Sequence, residues 1–361
     1  MGEIRYGLVG AGMMGREHIA NLAITPGARL VAIADPVAES LAAAKHALGE
    51  RADGVRQFDD AAALAKAGGI DAVIVASPNY THRDTLEPLF DAGLHILCEK
   101  PLATTLDDAR WVSAQAAGRT SVFWTAMEYR YMPPAAEFIR QIRDGRVGKL
   151  RMLSIREHRF PFLVKVGDWN RFSRNTGGTM VEKCCHFFDL MRLIVGAEAV
   201  RVYCSGAMDV NHVDERYAGE RPDIIDNSYT VVDFDNGVRA MLDLCMFADG
   251  AENQEEIAAV GDEARLEVFI PEGALIHSPR TGFMNPKTPE RVVVGVDPKA
   301  LDAGSHHGAT FYQHQAFIAA VRGERAVEVT ADDGLRAVAI GVAAEISARE
   351  KRVVAMDEIG F

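Results

Sequence analysis

The segment 4–15 reads IRYGLVGAGMMG. Its first six residues are mostly apolar and predict a buried strand, and the GxGxxG pattern at Gly10, Gly12 and Gly15 then opens a helix predicted from Met13 to near residue 23. The first glycine allows a tight turn, the second admits a pyrophosphate close to the backbone, and the third lets helix and strand pack closely. Unpaired N–H groups at the start of the helix also favour a phosphate. The segment therefore predicts a dinucleotide-binding fold.

An acidic residue follows at the spacing that such a fold requires. The second predicted strand, 30–34, ends at Asp35, which lies 20 residues after Gly15. A carboxylate there accepts hydrogen bonds from ribose hydroxyls and repels a 2′-phosphate, so NAD is favoured over NADP unless Arg29 or Arg56 reaches the site. The cofactor residues predicted from this pattern are Gly10, Ala11, Gly12, Met13, Met14 and Asp35.

The hydrophobic pattern changes character along the chain. Up to about residue 125, short β-branched runs at 4–9, 30–34, 72–76, 95–98 and 121–125 alternate with helical stretches, which predicts a parallel sheet with crossover helices. After Pro133 and Pro134 comes one helix, and then strand-like segments at 150–157, 200–205, 228–234, 238–246 and 265–270. We predict an α/β Rossmann domain with a doubly wound parallel sheet at 1–125. An α+β domain with an open, mostly antiparallel sheet, for substrate binding and oligomerisation, is predicted at 126–361.

Two further segments complete this outline. Residues 331–349 have apolar positions near helical spacing and predict a C-terminal helix. Residues 279–309, rich in Pro, Gly, Thr and His, predict a long irregular loop.

Composition excludes several classes of protein. The 361 residues are 48% hydrophobic and 25% charged, as in ordinary globular proteins, and the formal net charge of -12 disfavours nucleic acid and membrane partners. Five cysteines at scattered positions do not suggest a disulfide framework. We expect a cytoplasmic protein, because Met1 leads directly into a strand and no apolar run approaches the ~18 residues that cross a bilayer.

A charged pair follows the predicted strand 95–98. Glu99 and Lys100 stand at the carboxyl end of a parallel strand, where open α/β sheets bind their ligands, and Pro101 biases Lys100 towards an extended backbone. Taken alone, the pair reads better as a surface ion pair.

A second polar pattern lies in the segment 179–195, which predicts one helix. At about 100° per residue, Glu182, His186 and Asp189 share one stripe opposite an apolar face. Such a stripe faces either solvent or a cleft. Just before it, Asp168, Trp169 and Asn170 offer an aromatic plane and polar groups that suit a sugar, although Trp169 reads equally well as a core residue.

No motif indicates a metal site, since neither HExxH nor CxxC occurs and adjacent cysteines on a helix point in different directions. A GxSxG elbow is absent as well.

The order of the short motifs resembles the glucose-fructose oxidoreductase and inositol dehydrogenase family over nearly the whole chain. The motifs that carry the resemblance are the glycine pattern, Ala76-Ser77-Pro78-Asn79 with His82, Glu99-Lys100-Pro101, Arg130, Gly177-Gly178, the spacing of His186 and Asp189, and the segment 332–337. The resemblance implies NAD or NADP as hydride carrier and a sugar or polyol substrate. It also implies that the cofactor is lined by Ser77, Asn79, His82, Glu99, Lys100, Glu128 and Arg130.

The implied chemistry needs a general base for the hydroxyl proton. His186 is the natural candidate, and Lys100 can stabilise a developing alkoxide. Glu182, where the family more often has Asp, would orient the substrate or tune this pair. Asp168 and Asn170 are further substrate-binding candidates. We predict a homodimer or homotetramer, because an open sheet face commonly packs on a second subunit. Ketosugar reduction, hemiacetal oxidation and a non-catalytic dinucleotide-binding regulator of the same fold remain alternatives.

Overall fold

The structure is a computed structural model that describes residues 2–361. The chain forms two compact units, each built from several segments. Unit 1 contains the residues up to Tyr131, Lys165–Trp169 and Asp297–Val338, and unit 2 contains Met132–Val164, Asn170–Val296 and Ala339–Phe361. The predicted boundary at 125 and 126 lies near the first point at which the chain passes from one unit to the other. Within residues 2–361, no helix combines the length and the apolar character that a membrane span requires.

Unit 1 is built on a six-stranded sheet whose neighbouring strands are all parallel. Its strands are β1 (Ile4–Val9), β2 (Ala28–Ala34), β3 (Arg56–Phe58), β4 (Ala72–Val75), β5 (His95–Glu99) and β6 (Phe123–Ala126). The crossover helices are α1 (Met13–Ile24), α2 (Ala38–Leu48), α3 (Ala61–Lys66), α4 (His82–Asp91) and α5 (Leu106–Ala117). The strand order β3-β2-β1-β4-β5-β6 is that of a Rossmann fold, which confirms the prediction.

The strand order of this sheet reverses between β1 and β4. In doubly wound sheets, ligands bind outside the carboxyl ends of the strands at such a reversal. The residues that follow β1, β2, β4 and β5 include Gly10, Asp35, Ser77 and Lys100. Parallel pairing therefore places four of the predicted site residues on one edge of the sheet.

Unit 2 is built on a nine-stranded sheet. Its elements are α6 (Pro133–Arg143), β7 (Leu150–His158), α7 (Ser173–Thr176), α8 (Thr179–Glu182), α9 (Cys185–Val195), β8 (Ala199–Ala207), β9 (Asn227–Phe234), β10 (Arg239–Cys245), β11 (Glu255–Gly261), β12 (Ala264–Ile270), β13 (Ala274–Pro279), β14 (Glu290–Val293) and β15 (Val354–Ala355). The order is β14-β13-β12-β11-β7-β10-β9-β8-β15, and every neighbouring pair except β7 with β10 is antiparallel. The mostly antiparallel sheet is confirmed.

One face of this sheet is covered and the other is open. On β7, Leu153 and Ile155 are buried, and α9 contacts this strand, whereas Met152 is 57% exposed. On β9, Val232 is buried while Tyr229 is 62% exposed. Alternation of this kind is expected of an antiparallel sheet with one face on the core.

The C-terminal part of the chain adds three helices, α10 (Pro298–Asp302), α11 (Ala309–Val321) and α12 (Ala331–Glu350). The predicted helix 331–349 is confirmed. The prediction of an irregular loop over 279–309 is wrong, because β14 pairs with β13 and α10 begins after Asp297, whose side chain accepts a hydrogen bond from the backbone N–H of Lys299. The polar composition of this segment hid both elements.

The prediction of one helix over 179–195 is also wrong. The segment forms α8 and α9, separated at Lys183 and Cys184. At the break, the ammonium group of Lys183 pairs with the carboxylate of Glu157 at 2.8 Å. This partner lies on β7, 26 residues earlier, so a helical period could not reveal it.

Candidate active site

In the turn between β1 and α1, two glycines leave no space for a side chain, whereas the third has open space beside it. Gly10 has φ +93°, and a Cβ there would lie 2.4 Å from the carbonyl oxygen of Ala76. A Cβ on Gly15 would lie 2.1 Å from the carbonyl oxygen of Gly10, whereas a Cβ on Gly12 would have no atom within 4 Å. No side chain of residues 2–361 caps the start of α1. The turn thus fits the pyrophosphate of a dinucleotide.

The residues between these glycines differ in exposure. Ala11 is buried, Met13 is 37% exposed and Met14 is half-buried. Met13 and Met14 form the first turn of α1, so their contribution to a cofactor site is through the backbone N–H groups.

Asp35 is held at the end of β2 by this turn. Its Oδ2 accepts the backbone N–H of Ala11 at 2.7 Å and its Oδ1 accepts that of Val37 at 2.8 Å. The guanidinium of Arg56 donates to two backbone carbonyl oxygens, at 2.8 and 2.7 Å. Arg29 lies six residues before Asp35 on β2, about 20 Å away along an extended strand. Neither arginine offsets the negative charge of Asp35, which favours the ribose of NAD.

The turn after β4 carries three of the predicted cofactor residues. Ser77 Oγ accepts a hydrogen bond from Thr81 Oγ1 at 2.9 Å. Asn79 is 8% exposed, and its Nδ2 has no hydrogen-bond acceptor among residues 2–361. His82 is completely buried between the carbonyl oxygens of Pro101 (2.9 Å) and Ser77 (3.2 Å), where burial lowers its pKa. His82 therefore joins two turns, and Asn79 has a buried donor suited to a ligand.

The Glu99 side chain turns into the interior of unit 1. Its Oε1 lies 3.0 Å from His18 Nε2, and its Oε2 accepts the backbone N–H of Lys100 at 3.2 Å. His18 Nδ1 in turn lies 2.9 Å from His314 Nε2. Burial alone would raise the pKa of Glu99, but the hydrogen bond from His18 and the charge of Lys100 hold it below its ordinary value. Lys100 itself is half-buried.

Glu128 and Arg130 lie in the short turn after β6. Glu128 is buried, and burial followed by the negative charge of Glu99 raises its pKa to about 7. Arg130 donates from Nη1 to the carbonyl oxygen of Glu328 at 2.8 Å, and its Nη2 lies 3.6 Å from Asp333 Oδ1. Arg130 thus binds Glu328, just before α12, and Asp333, in its first turn. Glu128 is an acid that changes charge near neutral pH.

The two polar substrate candidates that precede α7 have different surroundings. Asp168, in unit 1, is half-buried with φ +50°, and the next ring, Trp169, meets Tyr80 edge-on at 6.0 Å. Asn170, in unit 2, is completely buried, and its Nδ2 donates to the carbonyl oxygen of Leu163 at 3.1 Å. Its Oδ1 accepts from a neighbouring arginine. The amide of Asn170 therefore stabilises its own loop.

The polar stripe of the segment 179–195 is not on the solvent face. Its members are exposed by 3%, 2% and 0%: Glu182, His186 and Asp189. The turn into α8 requires Gly178, which has φ +92° and whose Cβ would lie 2.2 Å from Glu345 Oε1. The same oxygen accepts the backbone N–H of Met180 at 2.9 Å. Glu182 and His186 are thus held inside unit 2 and do not form a solvated face.

A buried ionic cluster beside these residues was not predicted. Lys183 Nζ lies 2.8 Å from Glu157 Oε1, and Arg159 Nη1 lies 3.4 Å from the same oxygen. Burial lowers the pKa of Lys183, whereas burial and the charge of Glu157 raise that of Glu255 to about 7. The adjacent positions 182 and 183 were the available sequence signal, since a lysine inside an apolar helix pattern needs a partner.

Within residues 2–361, no three His, Cys, Asp or Glu side chains are grouped as a metal site. Cys184 is buried, and burial raises the pKa of its thiol. Cys184 therefore remains a thiol at neutral pH.

Comparison with known proteins agrees with the geometry of unit 1. Residues 4–127 match the family model "Oxidoreductase family, NAD-binding Rossmann fold", and residues 139–356 match "Oxidoreductase family, C-terminal alpha/beta domain". Both belong to the GFO/IDH/MocA family.

Relatives differ in how much of the chain they match. The chain is 27% identical to myo-inositol 2-dehydrogenase of Thermotoga maritima over 99% of both chains. It is 32% identical to rhizopine catabolism protein MocA of Rhizobium meliloti over 55% of this chain and 59% of that protein. The fold is similar to levoglucosan dehydrogenase in complex with NADH and levoglucosan, with TM-score 0.83, 20% identity, and coverage of 98% and 99%. This chain belongs to the GFO/IDH/MocA family of NAD-binding oxidoreductases.

Proposed function

We propose that this chain is an NAD-dependent dehydrogenase that oxidises a hydroxyl group of a sugar or cyclic polyol. The position of Lys100 carries the proposal. Lys100 follows β5 on the sheet edge that also bears the glycine turn and Asp35. An ammonium group at this edge can stabilise negative charge on a reacting oxygen.

The residues that would hold NAD are those of unit 1. The turn from Gly10 to Met14 binds the pyrophosphate, and Asp35 accepts hydrogen bonds from the adenosine ribose. Asn79 supports this assignment, since its Nδ2 is buried without an acceptor among residues 2–361. Ser77 and Lys100 line the same edge. When bound, NAD supplies the ring that accepts a hydride.

The proton chemistry is assigned to two residues. His186 accepts the proton of the substrate hydroxyl as general base, because imidazole is the side chain that most often exchanges a proton near neutral pH. Lys100 donates a hydrogen bond to the oxygen that loses this proton. Glu182, buried beside the α8 and α9 break, orients the substrate. Asp168 is the remaining candidate for binding a substrate hydroxyl.

The substrate class rests on relatives together with the site. Myo-inositol 2-dehydrogenase and levoglucosan dehydrogenase are named for a cyclic polyol and an anhydrosugar. Glu182 and His186 offer one hydrogen-bond acceptor group and one proton acceptor, a set that matches a ring bearing adjacent hydroxyls.

The test is NADH formation, followed by its near-ultraviolet absorbance, with purified protein and a panel of inositols, aldoses and anhydrosugars. Lys100→Ala and His186→Ala are each expected to lower kcat by about 100-fold or more, because each removes a group acting in the transition state. NAD affinity, measured separately by calorimetry, is expected to remain for His186→Ala.

Two results would contradict the proposal. Full turnover in His186→Ala would remove the general base from its assigned residue. Tight NAD binding without turnover on the whole panel, in either direction, would favour a non-catalytic regulator.

We also propose that the chain forms a homodimer or homotetramer through the open face of the nine-stranded sheet. A row of apolar side chains crosses three adjacent strands there, since Met241 pairs with Val231 and Val231 pairs with Tyr203. These side chains are 38%, 39% and 42% exposed. Contiguous exposed apolar surface of this kind marks an interaction site, and a second copy presents the same surface.

A further inference from the structure

A row of buried groups leads from the interior of unit 1 to Lys100. It consists of His314, His18 and Glu99, and their side chains are 0%, 0% and 4% exposed. The heavy-atom distances are 2.9 Å between the two imidazoles and 3.0 Å between His18 and Glu99. The far oxygen of Glu99 accepts the backbone N–H of Lys100.

The hydrogen-bond pattern assigns the protons in this row. Burial, followed by the proximity of His18, lowers the pKa of His314 far below its ordinary value, so His314 is neutral and carries one ring proton. Its Nδ1 is buried without a partner among residues 2–361, and a bare acceptor there costs less than a stranded N–H. We therefore assign that proton to Nε2, which donates to His18 Nδ1, and His18 Nε2 then donates to Glu99.

Removal of this donor would leave Glu99 with the backbone N–H of Lys100 and would free its other oxygen to move. Burial would then raise the pKa of Glu99, because burial disfavours the ionised form. The groups that face Glu99 are the cation Lys100, directly after its strand, and the hydrogen-bond donor His18, on α1. Glu128, from the turn after β6, also faces it as a like charge. Lys100 stabilises ionised Glu99, and by reciprocity ionised Glu99 stabilises protonated Lys100.

We propose that His18 is a positioning residue that keeps Glu99 ionised and oriented, and thereby keeps Lys100 protonated as the hydrogen-bond donor of the reaction. The proposal rests on the role assigned to Lys100 under the proposed function. It gives a function to a histidine that lies on the buried side of α1, away from the glycine turn.

The surrounding groups are consistent with this charge arrangement. Burial and the negative charge of Glu99 raise the pKa of Glu128 to about 7. His306, which also acts on Glu128, lies 2.6 Å from Glu17 Oε1. Lys100 thus faces one carboxylate held ionised and one that takes a proton near neutral pH.

The test measures the titration of Lys100 directly and needs no turnover. Competitive acylation of the full chain at a series of pH values, read by peptide mass spectrometry, gives the midpoint for Lys100. Glu99→Gln is expected to lower this midpoint by about 1 pH unit, because it removes a nearby opposite charge. His18→Leu is expected to lower it by less, because the carboxylate stays ionised at the midpoint but is no longer held in position by His18. His18→Gln, which keeps an N–H donor, is expected to restore at least part of the shift.

A double variant separates positioning from simple damage. If His18 acts through Glu99, the Lys100 midpoint in His18→Leu/Glu99→Gln equals that in Glu99→Gln alone, whereas independent effects would add. An unchanged midpoint in Glu99→Gln would overturn the proposal even if His18→Leu failed to fold. An unchanged midpoint in a folded His18→Leu would do the same. A shifted midpoint in a protein without dehydrogenase activity would keep this inference and refute the proposed function.

Discussion

The glycines of the first turn have two different roles. Gly15 allows close packing, and Gly12 leaves space for a ligand. Gly15→Ala is expected to lower the free energy of unfolding by about 1–3 kcal/mol, because its Cβ meets the Gly10 carbonyl oxygen. Gly12→Ala is expected to change stability by less than about 0.5 kcal/mol, since its Cβ meets no protein atom, yet to weaken NAD binding at least about 10-fold. Thermal unfolding and calorimetric NAD titration measure the two effects. Undiminished NAD affinity in Gly12→Ala would place the pyrophosphate elsewhere.

Asp35 sets the choice between cofactors through its charge. Asp35→Asn keeps one oxygen for the backbone N–H of Ala11 or Val37 but removes the repulsion of a 2′-phosphate. The ratio of NADP to NAD affinity is expected to rise by about 10-fold or more, equivalent to at least about 1.4 kcal/mol. Direct titration of both nucleotides checks this. Asp53→Asn, outside the sheet edge, serves as the control, and an equal rise there would show a general charge effect.

The site residues at the carboxyl edge of the parallel sheet could be predicted from the sequence where they belong to a short motif. The glycine turn, Asp35 and Lys100 follow strands at recognisable spacings. The partner of Glu99 was out of reach, because His18 precedes it by 81 residues and His314 follows His18 by 296. A lone histidine in an amphipathic helix carries no sign of the carboxylate that it meets in three dimensions.

At the scale of elements, the break between α8 and α9 depends on a buried ion pair. Lys183→Met would leave Glu157 and Glu255 buried without their lysine, a loss of about 3–5 kcal/mol when one partner of such a pair is removed. Chemical denaturation followed by circular dichroism measures the change in unit 2. Lys149→Met, at an exposed site of the same unit, is expected to have little effect.

The paired substitution makes this prediction sharper. Lys183→Met/Glu157→Gln is expected to be more stable than Lys183→Met, because the buried carboxylate that has lost its lysine is removed as well and the more distant Arg159 compensates it only in part. Additive losses would show that the lysine and the glutamate act independently.

Elements with strong patterns were predictable, and short polar ones were not. The run 4–9 matches β1 because its residues are nearly all apolar. In contrast, β3 has three residues, none fully buried, and all four residues of β14 are exposed, so neither has an apolar period. Both strands exist through main-chain pairing to a neighbour, which a hydrophobic pattern does not record.

Across the whole molecule, several buried carboxyl groups have a raised pKa. Burial raises the pKa of Glu345 to about 7, with a further contribution from Asp223. The folded state therefore keeps a proton that the unfolded chain loses from about pH 4.5 upwards, and the associated stability disappears as the pH rises towards 7. Glu345→Gln stays neutral and keeps an acceptor for Met180.

Relative to the parent, Glu345→Gln is expected to gain stability from about pH 5 to about pH 7, with a slope of up to about 1.4 kcal/mol per pH unit, and the difference then levels off. Unfolding curves at matched pH values measure the difference. In Glu350→Gln the difference from the parent is expected to stay flat over this range, because its arginine partner Arg352 lowers the pKa of Glu350. A flat difference for Glu345→Gln as well would show that its carboxyl is already ionised in the folded state.

The proposed oligomer can be tested by a substitution in the apolar row on the open face of the nine-stranded sheet. Val231→Glu places a charge in the middle of that row and is expected to weaken self-association at least about 10-fold, or about 1.4 kcal/mol. Val210→Glu changes a valine of 53% exposure outside the row and is the matched control. Analytical ultracentrifugation over a range of concentrations gives both constants. A monomeric parent protein would remove the proposal.

The two ends of the nine-stranded sheet bear on how copies of this protein can add to one another. One end is β15, only two residues long, and the other is β14, four residues long. The β14 end carries the ion pairs of Arg291 with Glu272 and of Arg146 with Glu290. Short and charged edges oppose strand addition between molecules. Concentrated protein is therefore expected to stop at a closed assembly of defined size instead of growing into fibrils, because the two edge strands limit polymerisation.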